Sequence, residues 1–338
     1  MGTVITPTYI QNFETNLVFR ASNAWRRANS MLWWPRLMLL QSTGSALEYV
    51  EWMLETARIQ STGPKGASIH YDGLAALSQT LRHEHFGNGL ELYRADIEDD
   101  KVARAPAWAT STGEACAYWP QRLLAERMQN GKVTTLNGKP NAAYDGKAFF
   151  AVDHPINPYD VGLGTYSNLH VGTAFTAENL ARVVAYIETI NHAGSAPMGA
   201  LPTITVFPTN YRYRANQYLG AEQFNDILVA GASASNVFKT AYGFEPPIFG
   251  AELNSEPTVW YVGIPAMEDA FDGAFGYLER EAFNINTYSP LDQASLADVQ
   301  TFKWHNRGRN GSFYGHPYRF HRCESSGSQA AYLSGLSI

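Results

Sequence analysis

Apolar and polar positions change rhythm along this chain, and the change falls at residues 144–170, YDGKAFFAVDHPINPYDVGLGTYSNLH. Residues 148–152 read as a short apolar strand carrying Phe149 and Phe150. Pro155, Pro158, Gly162 and Gly164 then interrupt regular structure until about residue 171, because proline removes a donor and glycine takes backbone angles that other residues avoid. Tyr144, Ile156, Tyr159 and Tyr166 give the stretch something to pack, so it reads as an ordered connector and not as a tether.

On the N-terminal side the pattern is irregular. Residues 1–45 carry Val4, Ile5, Tyr9, Ile10 and Phe13, then Trp25, Trp33 and Trp34, without a sustained period; they read as an arm covered by the chain's own body or by a neighbouring subunit. Leu47, Val50, Leu54 and Ile59 fall near a helical stripe in residues 45–59, closed by Gly63, Pro64 and Gly66. Between residues 61 and 94, LRHEHF and LELYR flank Gly87-Asn88-Gly89, which predicts a hairpin too small to stand without a partner. A helix is predicted over 108–130, with Tyr118, Trp119, Leu123, Leu124 and Met128 near one face. Gly131 stops it, and Pro120 either kinks it or restarts it.

The C-terminal side alternates. Thr176 caps a helix striped by Leu180, Val183, Val184, Ile187 and Ile190 and closed at Gly194. Strand TITVF runs through Pro208 into helix TNYRYRANQYL, and PPIFG and TVWYVGIP follow as strands, as an α/β domain would require. ADVQTFKWHNRG and PYRFHRCES read as final strands.

Composition narrows the picture. At 338 residues the chain exceeds the roughly 250–300 at which a single core stops growing, so two domains, or one with extensions, are expected. Eight Trp and nineteen Tyr suggest contact surfaces as well as a core. A net charge of −6 opposes a nucleic-acid reader, which needs clustered Lys and Arg; a container for nucleic acid, by contrast, gains from not sticking to its contents. Two cysteines, Cys116 and Cys323, fit a reducing cytoplasm. The first residues have neither the basic nor the apolar region of a signal peptide, Gly2 with Thr6 matches the myristoylation pattern without a basic patch to support it, and MLWWPRLMLL is too short to span a bilayer.

Candidate chemistry is sparse. Asp153 beside His154 invites an acid–imidazole reading, but neighbours on extended chain point to opposite sides. His83 and His85 share a strand face without a third ligand, and Asp96, Glu98, Asp99 and Asp100 lack the glycine and terminal glutamate of a calcium loop. No phosphate-loop, zinc-protease or nucleophile-elbow motif occurs.

The acidic turn ADIEDD, a long helix containing a proline, YDG-x-x-FF, the D-H-P turn and S-N follow one another in an order that resembles the Mu-type major head subunits of tailed bacteriophages and prophages. The resemblance is densest over 90–170 and continues weakly to about 325; Ala151 and Val152 stand where members more often carry an acidic residue, and the first hundred residues match poorly. It implies an α+β chain of the HK97-type capsid fold. The expected parts are an N-terminal arm (1–45), a P domain with a spine helix (46–60 and 96–170), an extended loop (61–95), an A domain (171–290), return strands of the P domain (291–325) and a tail (326–338).

The function implied is that of a major capsid protein without enzymatic activity, cofactor or metal. Hexamers and pentamers of one chain would close an icosahedral shell around double-stranded DNA in the bacterial cytoplasm, with scaffold, portal and decoration proteins as partners and no membrane. Trp33, Trp34, Arg82, His83, Glu84, His85, Asp96, Glu98, Asp99 and Asp100 are the candidate assembly contacts. Lys65 is the only lysine in the proposed loop, and nothing identifies a crosslinking partner. An encapsulin-like compartment shares the fold, and a hydrolase or metalloenzyme would require Asp153, His154, His83 and His85 to converge.

Overall fold

The computed structural model describes residues 5–45, 47–53, 76–99, 101–191, 201–220, 223–225, 233–265, 273–287, 299–329 and 331–334. Its first element, α1 (Pro7–Asn29), is a 23-residue helix where an arm without periodicity was expected. Thr6 accepts from the Tyr9 N–H, and Pro7 opens the first turn, where its missing donor costs nothing. The buried stripe is Ile10, Leu17, Ala21, Ala24 and Ala28, so alanines carry much of it and a search for large apolar residues overlooks it.

Strand β1 (Met38–Ser42) leads to β2 (Leu47–Met53), β3 (Ala76–Arg82) and β4 (Glu84–Tyr93). Two expectations fail here. Residues 47–53 are strand and not helix, because β2 pairs antiparallel with β3 from Leu47–Arg82 to Met53–Ala76. Gly87-Asn88-Gly89 forms no turn either: it lies within β4, opposite Arg307, Asn306 and His305. A Cβ on Gly87 would collide with the Asn306 carbonyl, so close strand approach, and not a bend, is what that glycine provides. Other parts of these expectations, at residues 54–75, lie outside the described residues.

Helices α2 (Arg94–Glu98) and α3 (Arg104–Gln129) follow. α3 is continuous through Pro120 and ends before Gly131, whose carbonyl accepts from the Phe150 N–H. Its buried face is Ala105, Ala109, Thr112, Gly113, Ala117, Pro120, Gln121, Leu124, Ala125 and Met128; Tyr118, expected there, is exposed. Then come the small pairs β5 (Thr135–Leu136) with β6 (Lys139–Pro140), turning at Asn137-Gly138 with both φ positive, and β7 (His154–Pro155) with β8 (Thr165–Tyr166).

The described elements that follow are β9 (Leu169–His170), α4 (Ala177–Thr189), β10 (Ile204–Pro208), α5 (Arg212–Ala215), β11 (Gln223–Asn225), β12 (Ser233–Ser235), α6 (Val237–Thr240), β13 (Ile248–Gly250), β14 (Val259–Gly263), β15 (Phe275–Thr287), β16 (Thr301–Tyr314), β17 (Phe320–Glu324) and α7 (Ala331–Ser334), with short 3-10 turns between some of them. Thr176 caps α4 through the Asn179 N–H. The helix expected after Pro208 breaks into a 3-10 turn, α5 and a π-helical turn.

Two sheets organise the chain. One has four strands in the order β1-β15-β16-β4; β1 runs parallel to β15, and the other pairs are antiparallel. α3 and α1 pack on one side, while Leu278 and Phe313 on the other meet Val50 and Leu81 of the β2–β3 hairpin. The second sheet has five strands, β13-β10-β14-β17-β9. Phe207, Trp260, Val262 and Cys323 pack under α4, and Ile204, Val206, Tyr261 and Phe320 face the core that holds Leu124 and Met128 of α3. Covered on both faces, β10, β14 and β17 are buried throughout. Strand β17 lies in the same sheet as β10 and β14, whereas β15 lies in the four-stranded sheet beneath α3.

Candidate functional site

The Asp153–His154 pair is where catalysis would have to begin, and the structure separates its members. Asp153 is exposed and pairs with Lys147. His154 turns inward and is fully buried: Nδ1 lies 2.6 Å from Asp145 Oδ2, and Nε2 lies 3.1 Å from the Phe149 carbonyl. Both ring nitrogens are taken up by partners inside the chain, so neither is open to a substrate.

That histidine belongs to an anchor built from the whole 144–168 motif. Asn168 Nδ2 donates to the carbonyls of Phe149, Pro317 and Phe320, while its Oδ1 accepts from the Ala151 N–H. Phe149 stacks on Tyr314 at 4.6 Å and packs on Phe275 at 5.0 Å; Phe150 faces Tyr261 and Phe320. The two phenylalanines thus tie β15 and β16 of one sheet to β14 and β17 of the other. Asp145 and Asn168 satisfy the backbone groups that this irregular segment would otherwise bury unpaired.

Two further polar clusters were not legible as sites. His170 and His321 stack in the interior, with His170 Nε2 3.0 Å from His321 Nδ1. The His321 Nε2–H donates to the Tyr318 carbonyl, which leaves Nδ1 to accept from His170, and the Tyr332 hydroxyl completes the chain at His170 Nδ1, 2.9 Å away. Burial, then His321, holds His170 well below the ordinary histidine range, and burial brings His321 down to about 3. Arg322, also buried, is held by Glu256 and Glu324, and its Nη1 donates to the Met128 carbonyl at the end of α3. No local motif in FHRCES marks these clusters; the signal is strand alternation, which sends His321 and Arg322 to opposite faces.

The candidate assembly residues do not form one constellation. Trp33 and Trp34 pack against the central core of their own chain, Trp34 with its ring 5.9 Å from Tyr277 and Trp33 with its N–H on Gln121 Oε1. His83 falls between β3 and β4, Arg82 ends β3, Glu84 pairs with Lys139, and His85 stands opposite Arg309. Asp96 and Glu98 belong to α2, where Glu98 pairs with Arg94; Asp99 follows and pairs with Lys101, and Asp100 lies outside the described residues. Among the described residues no group of three or more His, Cys, Asp or Glu is placed to hold a metal ion.

A helix packed along a second, longer helix, the paired strands β2 and β3, a four-stranded sheet and an α/β unit around a five-stranded sheet make an α+β chain. The motif residues in it serve architecture. Residues 10–176, just under half of the chain, match the model of the Mu-like prophage major head subunit gpT family.

Among solved structures, the chain is similar to the procapsid of bacteriophage JBD30, with 14% identity, 96% of this chain and 78% of the other covered, and a TM-score of 0.48. It is similar to the mature capsid of bacteriophage PhiM1, with 12% identity, 86% of each chain and a TM-score of 0.49. For a virus-like particle from Pyrococcus furiosus the values are 8% identity, 91% and 97% coverage and a TM-score of 0.48. No curated protein matches the chain.

Proposed function

We propose that the protein is the major capsid subunit of a Mu-like tailed phage or prophage, and that many copies close an icosahedral shell around double-stranded DNA. The family match over residues 10–176 carries this reading, because that segment holds most of α1, the paired strands β2 and β3, α3 and the whole 144–168 motif. In this reading α1 and β1 form the arm, and residues 61–95, which include β3 and β4, form the extended loop. The P domain is α3 with the four-stranded sheet, and the A domain is built on the five-stranded sheet. Hexamers and pentamers, assembled in the host cytoplasm with scaffold, portal and decoration proteins, complete the picture. A chain of net charge −6 suits a container that releases its nucleic acid.

Negative-stain microscopy of the purified chain, with an absorbance ratio for co-purifying nucleic acid, tests the reading. Closed shells, tubes or hexameric plates are expected. A monomer that stays monomeric when concentrated and when mixed with scaffold would overturn it.

A further inference from the structure

Between α1, α3 and β15 lies a groove of about 680 Å³. Its walls include Trp25, Trp34, Tyr277 and Phe283, four aromatic rings brought together from an arm, a turn and a strand. Leu40 and Trp25 are 49% and 43% exposed, so the groove opens to the surface. Among all the described residues that line it, one is acidic, Glu279, and none is Lys or Arg.

Glu279 is placed there by the sheet. It follows Tyr277 by two residues on β15, so both side chains project from the same face, toward the helices. The register of β15 against β16 shifts directly after it, between Glu279 and Glu281 and again before Asn284, and such bulges re-aim side chains at the end of regular pairing. Half-buried, the Glu279 carboxylate has no hydrogen bond or ion pair among the described residues, and burial pushes its carboxyl up from the ordinary range. Several other half-exposed carboxylates, among them Glu84, Glu114, Glu245 and Glu281, are each paired with a cation. A desolvated carboxylate beside several aromatic faces is the arrangement that attracts an organic cation, since ring quadrupoles and the carboxylate act in the same direction.

We propose that this groove receives a basic side chain, lysine or arginine, from a second copy of the chain. The proposal rests on the shell reading for its occupant. Candidate donors are on its surface: Arg104, Arg122 and Arg214 are exposed and have no acidic partner among the described residues. A contact of this kind is heterologous, and such contacts repeat around a closed ring of subunits.

Two measurements test it. The unassembled subunit is titrated with N-acetyl-argininamide, followed by tryptophan fluorescence, with N-acetyl-leucinamide as the uncharged control. Saturable quenching by the cation alone is expected, weakened about tenfold in Glu279→Gln, a loss of one charge-assisted contact. No saturable quenching, or equal quenching in Glu279→Gln, overturns the site. Shells of native and Glu279→Gln protein are then exposed to rising salt, with subunit melting as the control for folding. The variant is expected to melt at the native temperature or above it, because an unpaired desolvated carboxylate is gone, while its shells dissociate at several-fold lower salt. Shells equally resistant in both proteins overturn the second copy as occupant. A native chain that binds N-acetyl-argininamide yet never assembles overturns the shell reading instead, and leaves the groove a cation site with a different occupant.

Discussion

Gly113 of α3 lies so close to Ala21 of α1 that a Cβ at position 113 would fall within 3.0 Å of the Ala21 carbonyl oxygen, carbonyl carbon and Cα. The two helices meet backbone to backbone, with Ala24, Ala28, Ala105, Ala109 and Ala117 extending the same small-residue seam. Contact this close trades side-chain volume for proximity, and it fixes where the arm lies on the long helix.

Gly113→Ala therefore sets two effects against each other. Alanine favours a helix over glycine by about 1 kcal/mol, whereas overpacking typically costs about 1–3 kcal/mol, and here the obstacle is backbone, which cannot swing aside. A net loss of stability is expected, larger for Gly113→Val, with protease cleavage within α1 appearing first. Ser111→Ala, on the exposed side of the same turn, should be neutral; urea melts of the three variants check the order. A Gly113→Ala protein as stable as native would show that the seam is looser than its geometry.

Asp153 and His154 should behave as unrelated residues. Asp153→Ala removes one exposed ion pair with Lys147, worth about 0–1 kcal/mol. His154→Ala leaves the Asp145 carboxylate buried without its donor, and losses of about 3–5 kcal/mol are expected when one member of a buried pair is removed. Comparable losses in thermal melts of the two variants would contradict the separation of the pair.

Acid should destabilise the fold through His170 and His321. Both are neutral in the folded chain, with His321 brought down to about 3, while in the unfolded chain they titrate near the ordinary 6.5. The unfolded state therefore takes up two protons that the folded state refuses. Their contribution is fully present above pH 6.5 and falls away as the pH drops toward 3, by about 1.4 kcal/mol per histidine per pH unit. Denaturant melts between pH 7 and 4 should show that slope, and His170→Gln with His321→Gln should flatten it by about two protons. An unchanged slope in the double variant would mean that other groups carry the acid sensitivity.

How much of this was legible in the sequence depended on range. The cap at Thr176, the stripe of α4, the strands around residues 204–208 and 259–263 and the length of α3 were readable because their signals are local. Residues 47–53 read as helix because Leu47, Val50 and Leu54 fit that period, and only pairing with β3, across residues absent from any local window, makes them strand. Gly87-Asn88-Gly89 imitates a turn for the same reason: what decides it is β16, more than two hundred residues away in the chain. The family resemblance supplied the fold where periodicity could not. The groove at Glu279 was invisible to both, because its walls come from α1, the turn before β1, α3 and β15.

Deleting residues 1–45 provides the sharpest test of what the arm does. Read as a bare arm, it could be removed at the expense of assembly alone. In the structure α1 covers Ala105, Ala109 and Gly113 of α3, Trp34 packs on Tyr277, and β1 supplies the edge strand beside β15 from Met38–Phe275 to Ser42–Glu279. Removal would bare an apolar helix face and open a sheet edge, the two features that drive aggregation. The truncated chain is therefore expected to be insoluble, or soluble without a cooperative melt. Thr6→Ala is the mild counterpart: it removes the cap on the Tyr9 N–H, should cost about 1 kcal/mol, and should leave folding cooperative. Circular dichroism melts and sedimentation of both proteins distinguish the cases. A truncated subunit that stays soluble and melts at the native temperature would return the first 45 residues to a purely intersubunit role.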